Sequence, residues 1–412
     1  MSPRLREHRG FVAFWTGTTV SAFGSALTGL ALQTLVLTRL GGSTTDVGLV
    51  NAARWVAYAV VGLVAGSWLD RVRRKPVLIG TDLGQGLVLG TIAVLALTGH
   101  LGIPGLVGLM TVFGLLALFG DAAYQAITPQ LVPRPLLTRA NTRLQQSGAV
   151  AATGGPALAG VVIAAVGPPL ALLADAVSYL LSAVAMTRLP TLPSPDRAGR
   201  RALRHEVVEG LRWIYGHREL GPLTLNTHLW FVAYTGWNTV LVAWALRGLG
   251  LDVLVIGVCL ALGSVAALVT TTVSERFSDR WGVGQTVLVS RIGYLPGVLL
   301  LLATPTRDGW ATVAVFAAAQ VVVGAAFGLE GPAEISFRQA VTPDRLQGRT
   351  NATGRSVNRS MIVLSAPLAG LLADRAGIPA TLWVVAALFA VVAGWLALTP
   401  VRTALMPDGP IR

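Results

Sequence analysis

Long apolar runs alternate with short polar, arginine-bearing stretches over the whole 412-residue chain. A helix needs about 20 consecutive apolar residues to cross a bilayer, because it rises about 1.5 Å per residue through a hydrocarbon core about 30 Å thick. Runs of that length fall at residues 11–38, 46–69, 77–98, 104–128, 141–166 and 170–188. A polar, arginine-rich segment from Leu189 to Arg218 follows, and six more runs fall at 221–246, 253–277, 286–303, 310–337, 351–373 and 380–398. The pattern predicts an all-α membrane protein of twelve transmembrane helices. Its expected parts are a six-helix bundle over residues 1–188, a linker over 189–218, a second six-helix bundle over 219–400 and a tail over 401–412.

The two bundles carry traces of duplication. Asp70-Arg71 closes span 2 and Asp279-Arg280 follows span 8, 209 residues later. Pro133 and Asn141 recur as Pro343 and Asn351, displaced by 210, and Pro156-Ala-Leu-Ala-Gly160 recurs as Pro367-Leu-Ala-Gly370 within one residue of that offset. Two pseudo-symmetric halves are the architecture of secondary transporters, in which a site near the bilayer midplane is exposed to each side in turn.

Composition agrees: 53% of residues are hydrophobic and only 12% charged, about half the charged share of soluble domains. The net charge of +13 would raise nucleic acid as a partner, but the basic residues sit in short loops and follow one side of the membrane. That side carries Arg4, Arg6 and Arg9, then Arg71, Arg73, Arg74 and Lys75, Arg134 and Arg139, the central arginines from Arg197 to Arg218, Arg276 and Arg280, Arg345 and Arg349, and Arg402. The other carries only Arg39, Arg247, Arg307 and Arg375. Both termini and the linker are therefore expected in the cytoplasm, which an even number of spans requires. The apolar stretch after Phe11 runs too far for a signal-peptide core and reads as span 1. One cysteine, Cys259, excludes an intrachain disulfide and a cysteine-based metal cluster. In the linker, Leu203, Val207, Leu211 and Ile214 share one helical face. The segment reads as a helix on the inner leaflet or as a plain charged linker.

Several motifs give these features a family. The stretch Gly66-Ser-Trp-Leu-Asp70-Arg71-Val-Arg73-Arg74-Lys75 resembles the major facilitator superfamily, whose loop after span 2 reads Gly-x-Leu-Ala-Asp-Arg-x-Gly-Arg-Arg. Trp68, Leu69 and Arg73 depart from it, and the loss of the second Gly weakens a turn. The resemblance implies an inner-side latch of Asp70, Arg71 and Arg74 with Arg355, and by the repeat Asp279 and Arg280 with Arg143; the alternative is a basic loop that serves topology alone. Gly155-Pro156-Ala-Leu-Ala-Gly160 in span 5 is similar to the Gly-Pro-x-x-Gly-Gly motif of exporters in that superfamily, or is a packing kink. Asp121-Ala-Ala-Tyr124-Gln125-Ala-Ile-Thr-Pro129, with Ala140-Asn141 and Asp175-Ala-Val-Ser178-Tyr179, looks like a bacterial branch that includes enterobactin exporters and macrolide efflux proteins and also resembles lysophospholipid transporters. The implied function is proton-coupled export of a bulky amphipathic small molecule. Uptake or flipping of a lysophospholipid-like solute is the alternative, and a non-transporting receptor or scaffold is the rival class.

Ionisable groups at depth are costly and need a partner or a wet cavity. Span 4 holds Asp121 and span 10 holds Glu330 and Glu334, with Asp121 and Glu330 again 209 apart. They are candidates for proton coupling, or for structural pairing. Arg54 either holds an anionic group in the cavity or pairs with Asp46. Asp175 reads as structural, since span 6 lies outside the cavity in the superfamily. Gln33, Tyr124, Gln125, Tyr234, Trp237 and Asn238 are expected to line the cavity, although polar residues of this kind also pack helices together. His228 reads as a structural histidine. No P-loop, His-Glu-x-x-His or Gly-x-Ser-x-Gly pattern is present, so an enzyme, a catalytic or metal site and a cofactor are not expected. The expected partners are a small-molecule substrate, protons and the lipid bilayer, with no nucleic acid and a monomer as the functional unit.

Overall fold

The computed structural model describes residues 5–62, 72–190, 203–306 and 309–406, and the described residues fold into helices without strands. In chain order the helices are α1 (Arg9–Thr34), α2 (Thr44–Val60), α3 (Arg74–Leu97), α4 (Ile103–Leu131), α5 (Leu137–Val166) and α6 (Pro168–Thr187). Then come the linker helix α7 (Leu203–Gly216), α8 (Leu220–Ala243), α9 (Val253–Trp281), α10 (Val283–Leu302), α11 (Trp310–Val341), α12 (Asp344–Ala376) and α13 (Ile378–Leu398). Eleven described helices are long and apolar enough to cross a membrane. Helix α2, described over 17 residues, takes the second place in the predicted order of twelve.

The chain divides into two compact units, Met1–Gly42 with Ala53–Arg200 and Ser43–Ala52 with Arg201–Arg412. Each repeats the other's packing. In the first, α1 packs against α5 and α6, and α3 against α4 and α6; in the second, α8 packs against α12 and α13, and α10 against α11 and α13.

The duplication extends to local backbone. Helix α1 runs on into a π-helical turn at Leu35–Arg39, and α8 does the same at Trp244–Gly248, 209 residues later. The chain then turns at Gly41 (φ 62°) and Gly250 (φ 69°), a conformation that only glycine adopts at no steric cost. Gly282 (φ 85°) starts α10, whereas Arg73 at the matching position before α3 is extended (φ −69°). The missing glycine of the loop motif is thus a turn built differently in the first half.

Helix α7 is tied to the second unit. Glu209 accepts from Arg345 at 2.9 Å and from Arg349 on α12, Gly210 packs beside Thr353, and Ile214 is buried. Tyr215 Oη lies 2.8 Å from His228 Nε2, and His228 Nδ1 lies 2.7 Å from Asn358 Oδ1, so both ring nitrogens of His228 have partners and it reads as a structural histidine. A helix spans Leu203–Gly216, and Ile214 on it is buried against protein. The side chains of Leu203 and Val207 lie outside the described residues.

Candidate functional site

In the first unit a cavity of about 320 Å³ opens among α1 to α6, within the range of about 300–1,000 Å³ common for ligand pockets. Asp82 and Gln85 come from α3, Asp121 and Tyr124 from α4, and Arg54, Trp55 and Tyr58 from α2. Tyr58 donates to Asp121 at 2.6 Å, and Ser182 donates to Asp82 at 2.6 Å. The Arg54 guanidinium stands 5.4 Å from the Trp55 ring and 5.5 Å from the Phe113 ring, within cation–π range. Asp46 does not hold it: its carboxylate accepts the Ser43 N–H at 2.7 Å and the Ser43 hydroxyl at 3.0 Å.

Helix α6 enters this cavity, contrary to the expectation that span 6 stays outside. Asp175, Ser178, Tyr179 and Ser182 recur at helical spacing and form one buried polar stripe. Tyr179 and Ser182 reach the cavity. Asp175 lies behind it, wholly buried, and takes hydrogen bonds from Thr28 and from Ser178 at 2.8 Å. That part of the stripe is structural. Gly24 makes the approach possible, since a Cβ there would stand 2.1 Å from Ser178 Oγ and 2.3 Å from Asp175 Oδ1.

In the second unit Arg291, Glu330 and Glu334 form one network. The fully buried Arg291 on α10 lies 3.1 Å from Glu330 Oε2 and 3.1 Å from Glu334 Oε2, both on α11. It also donates to Thr227 at 3.2 Å, and its plane sits 4.9 Å from the Trp230 ring. Glu330 further accepts from Tyr294 at 3.0 Å and Ser290 at 3.1 Å, and Glu334 accepts from Thr227 at 3.1 Å. Buried charges demand this degree of pairing, because each ion loses its hydration and only partners in good geometry compensate.

Sequence reasoning found the two glutamates and missed Arg291. It also missed Asp82. Both sit within runs read simply as spans 9 and 3, yet they are 209 residues apart, the same offset that relates Asp121 to Glu330. The repeat was the signal that could have found them.

Other candidates fall apart from these two clusters. Gln33 turns its amide to Gly29 O at 3.5 Å, and Asn238 donates to Tyr234 O at 2.8 Å, so each addresses its own helix. Trp237 is 2% exposed and packs in the interior with no open face. Tyr234 stacks on Trp230 at 4.7 Å, beside the Arg291 network. Gln125 is exposed and absent from the cavity lining. Gly155 fits tightly against α1, where a Cβ would stand 2.3 Å from that of Ala26; Pro156 lies within α5, and Gly160 is buried. Arg143 borders a second recess with Arg139 and Trp15, and Asp279, Arg280 and Arg355 are exposed on their helices. Arg74 starts α3 half-buried. Asp70 and Arg71 lie outside the described residues.

The family model described as Major Facilitator Superfamily matches residues 14–352 and 229–409. The chain belongs to the major facilitator superfamily. It is a multi-pass membrane transporter by family and fold. It is 26% identical over 374 residues to the multidrug efflux pump Tap of Mycolicibacterium fortuitum, covering 87% of this chain and 88% of that one. It is 23% identical over 232 residues to macrolide efflux protein A of Streptococcus pyogenes, covering 56% of this chain and 57% of that one, so the match spans a little over half of that relative. The nucleoside transporter NupG shares the fold with a TM-score of 0.77 at 12% identity, over 94% of this chain and 98% of that chain.

Proposed function

We propose that this major facilitator protein is a secondary active transporter that exports a bulky amphipathic small molecule in exchange for protons, by alternating access. The observation that carries the coupling is the charge count of the second unit. One guanidinium, Arg291, faces two carboxylates, Glu330 and Glu334. With both acids ionised the network holds one net negative charge away from bulk water, and a single proton neutralises it. Such a site takes up and releases one proton as its access changes. Asp121, the repeat counterpart of Glu330, is the coupling acid of the first unit, where it lines the cavity. Efflux pumps among the relatives support the outward direction. Gly155, Pro156 and Gly160 supply the close helix packing of the exporter motif. The basic loop residues, with Asp70, Arg71, Arg74, Asp279, Arg280, Arg143 and Arg355, serve as the inner latch on a cytoplasmic face that also holds both termini. A monomer suffices.

Proteoliposomes containing the purified chain test this. An imposed pH gradient drives movement of a lipophilic aromatic dye in the wild-type protein, and Glu330→Gln with Glu334→Gln abolishes the dependence on pH. Dye movement that ignores the gradient removes proton coupling, and no movement of any solute removes transport.

A further inference from the structure

The repeat-related positions 82 and 291 hold opposite charges, and their surroundings differ accordingly. In the second unit Arg291 pairs with the acids beside it. In the first unit the matching residue is an acid. Asp82 faces the cavity, accepts a hydrogen bond from Ser182 and forms no ion pair among the described residues. Asp121 lines the same cavity, so the lining carries two carboxylates against one guanidinium. That guanidinium, Arg54, is already placed between two aromatic rings. One turn along α3 from Asp82, Gln85 is 5% exposed, lines the cavity and has no hydrogen-bond partner among the described residues. Its amide opens onto the cavity and can both donate to and accept from a polar group there. The rings of Trp55, Tyr58, Tyr124 and Tyr179 complete the wall.

We propose that this cavity is a binding subsite for an organic cation, in which Asp82 selects a positively charged group on the cargo, the aromatic rings hold its apolar body and Gln85 meets a polar substituent. The proposal deepens the transport reading by naming the charge class of the cargo. Carboxylate and aromatic faces both favour a cation, and in a partly dry cavity their attraction is little screened. Asp82 acts on the choice of cargo, and Asp121 with the acids of the second unit carries the proton.

The test measures binding alone, on the full-length protein in detergent, by calorimetry with tetraphenylphosphonium and tetraphenylborate. These ions have nearly the same shape and opposite charge. Wild-type protein binds the phosphonium more tightly than the borate. Asp82→Asn, which keeps an acceptor for Ser182, weakens phosphonium binding about tenfold or more. Asp82→Glu retains it, and the exposed Asp252→Asn at the start of α9 leaves it unchanged. Equal or tighter borate binding overturns the proposal and hands the site to Arg54, and an unchanged affinity in Asp82→Asn overturns it equally. The two-ion comparison in wild-type protein decides the matter even where Asp82→Asn does not fold. Phosphonium binding without solute flux in proteoliposomes would sink the transport reading and leave the cation site standing; flux without a cation preference does the reverse.

Discussion

The guanidinium of Arg291 lies 3.1 Å from the Glu330 carboxylate, and neither group is open to solvent to any extent that could hydrate it. Deleting one partner of such a pair strands the other charge. Arg291→Met is expected to cost about 3–5 kcal/mol of stability. Joining it to Glu330→Gln recovers a large part of that loss, since the second change removes one stranded charge. Thermal unfolding of the purified variants measures both, and a single variant as stable as wild type would contradict the network.

The contact of Gly24 with Asp175 and Ser178 predicts a contrast along α1. Gly24→Ala drives a methyl into the hydrogen-bonded carboxylate and is expected to destabilise by about 1–3 kcal/mol. Gly29→Ala, five residues on, meets nothing within 4 Å and gains helix propensity of up to about 1 kcal/mol. The ordering of the two melting temperatures checks this, and it is reversed if α1 and α6 do not meet as described.

Glu209 bridges α7 to Arg345 and Arg349, but Glu209 is 40% exposed. An ion pair at that exposure contributes about 0–1 kcal/mol. Glu209→Gln therefore leaves global unfolding nearly unchanged, while amide exchange over residues 203–216 speeds up. Unaltered exchange there indicates that Ile214 and Tyr215 hold the helix alone.

Much of the architecture was legible because its driving force is one-dimensional. A segment that spans lipid must satisfy its own backbone and be apolar throughout, so twelve runs and a 209-residue offset can be read directly from the chain. Which way a polar side chain points cannot. Trp237 and Asn238 have the composition of a cavity wall, yet one is packed and the other bonds to its own helix. Glu330 and Glu334 were visible as isolated acids in an apolar run, whereas Arg291 stood in a span whose mean character hid it. Its role depends on α10 and α11 packing face to face, a relationship fixed by tertiary structure and not by spacing.

The most direct test of the account is the number of protons moved per cationic solute in sealed proteoliposomes, recorded with a pH dye inside and a solute electrode outside. An imposed outward gradient of tetraphenylphosphonium is expected to drive proton flow in the opposite direction. That flow disappears in Glu330→Gln with Glu334→Gln, although phosphonium still binds. Solute movement without opposed proton flow, or proton flow that persists in the double variant, would contradict it.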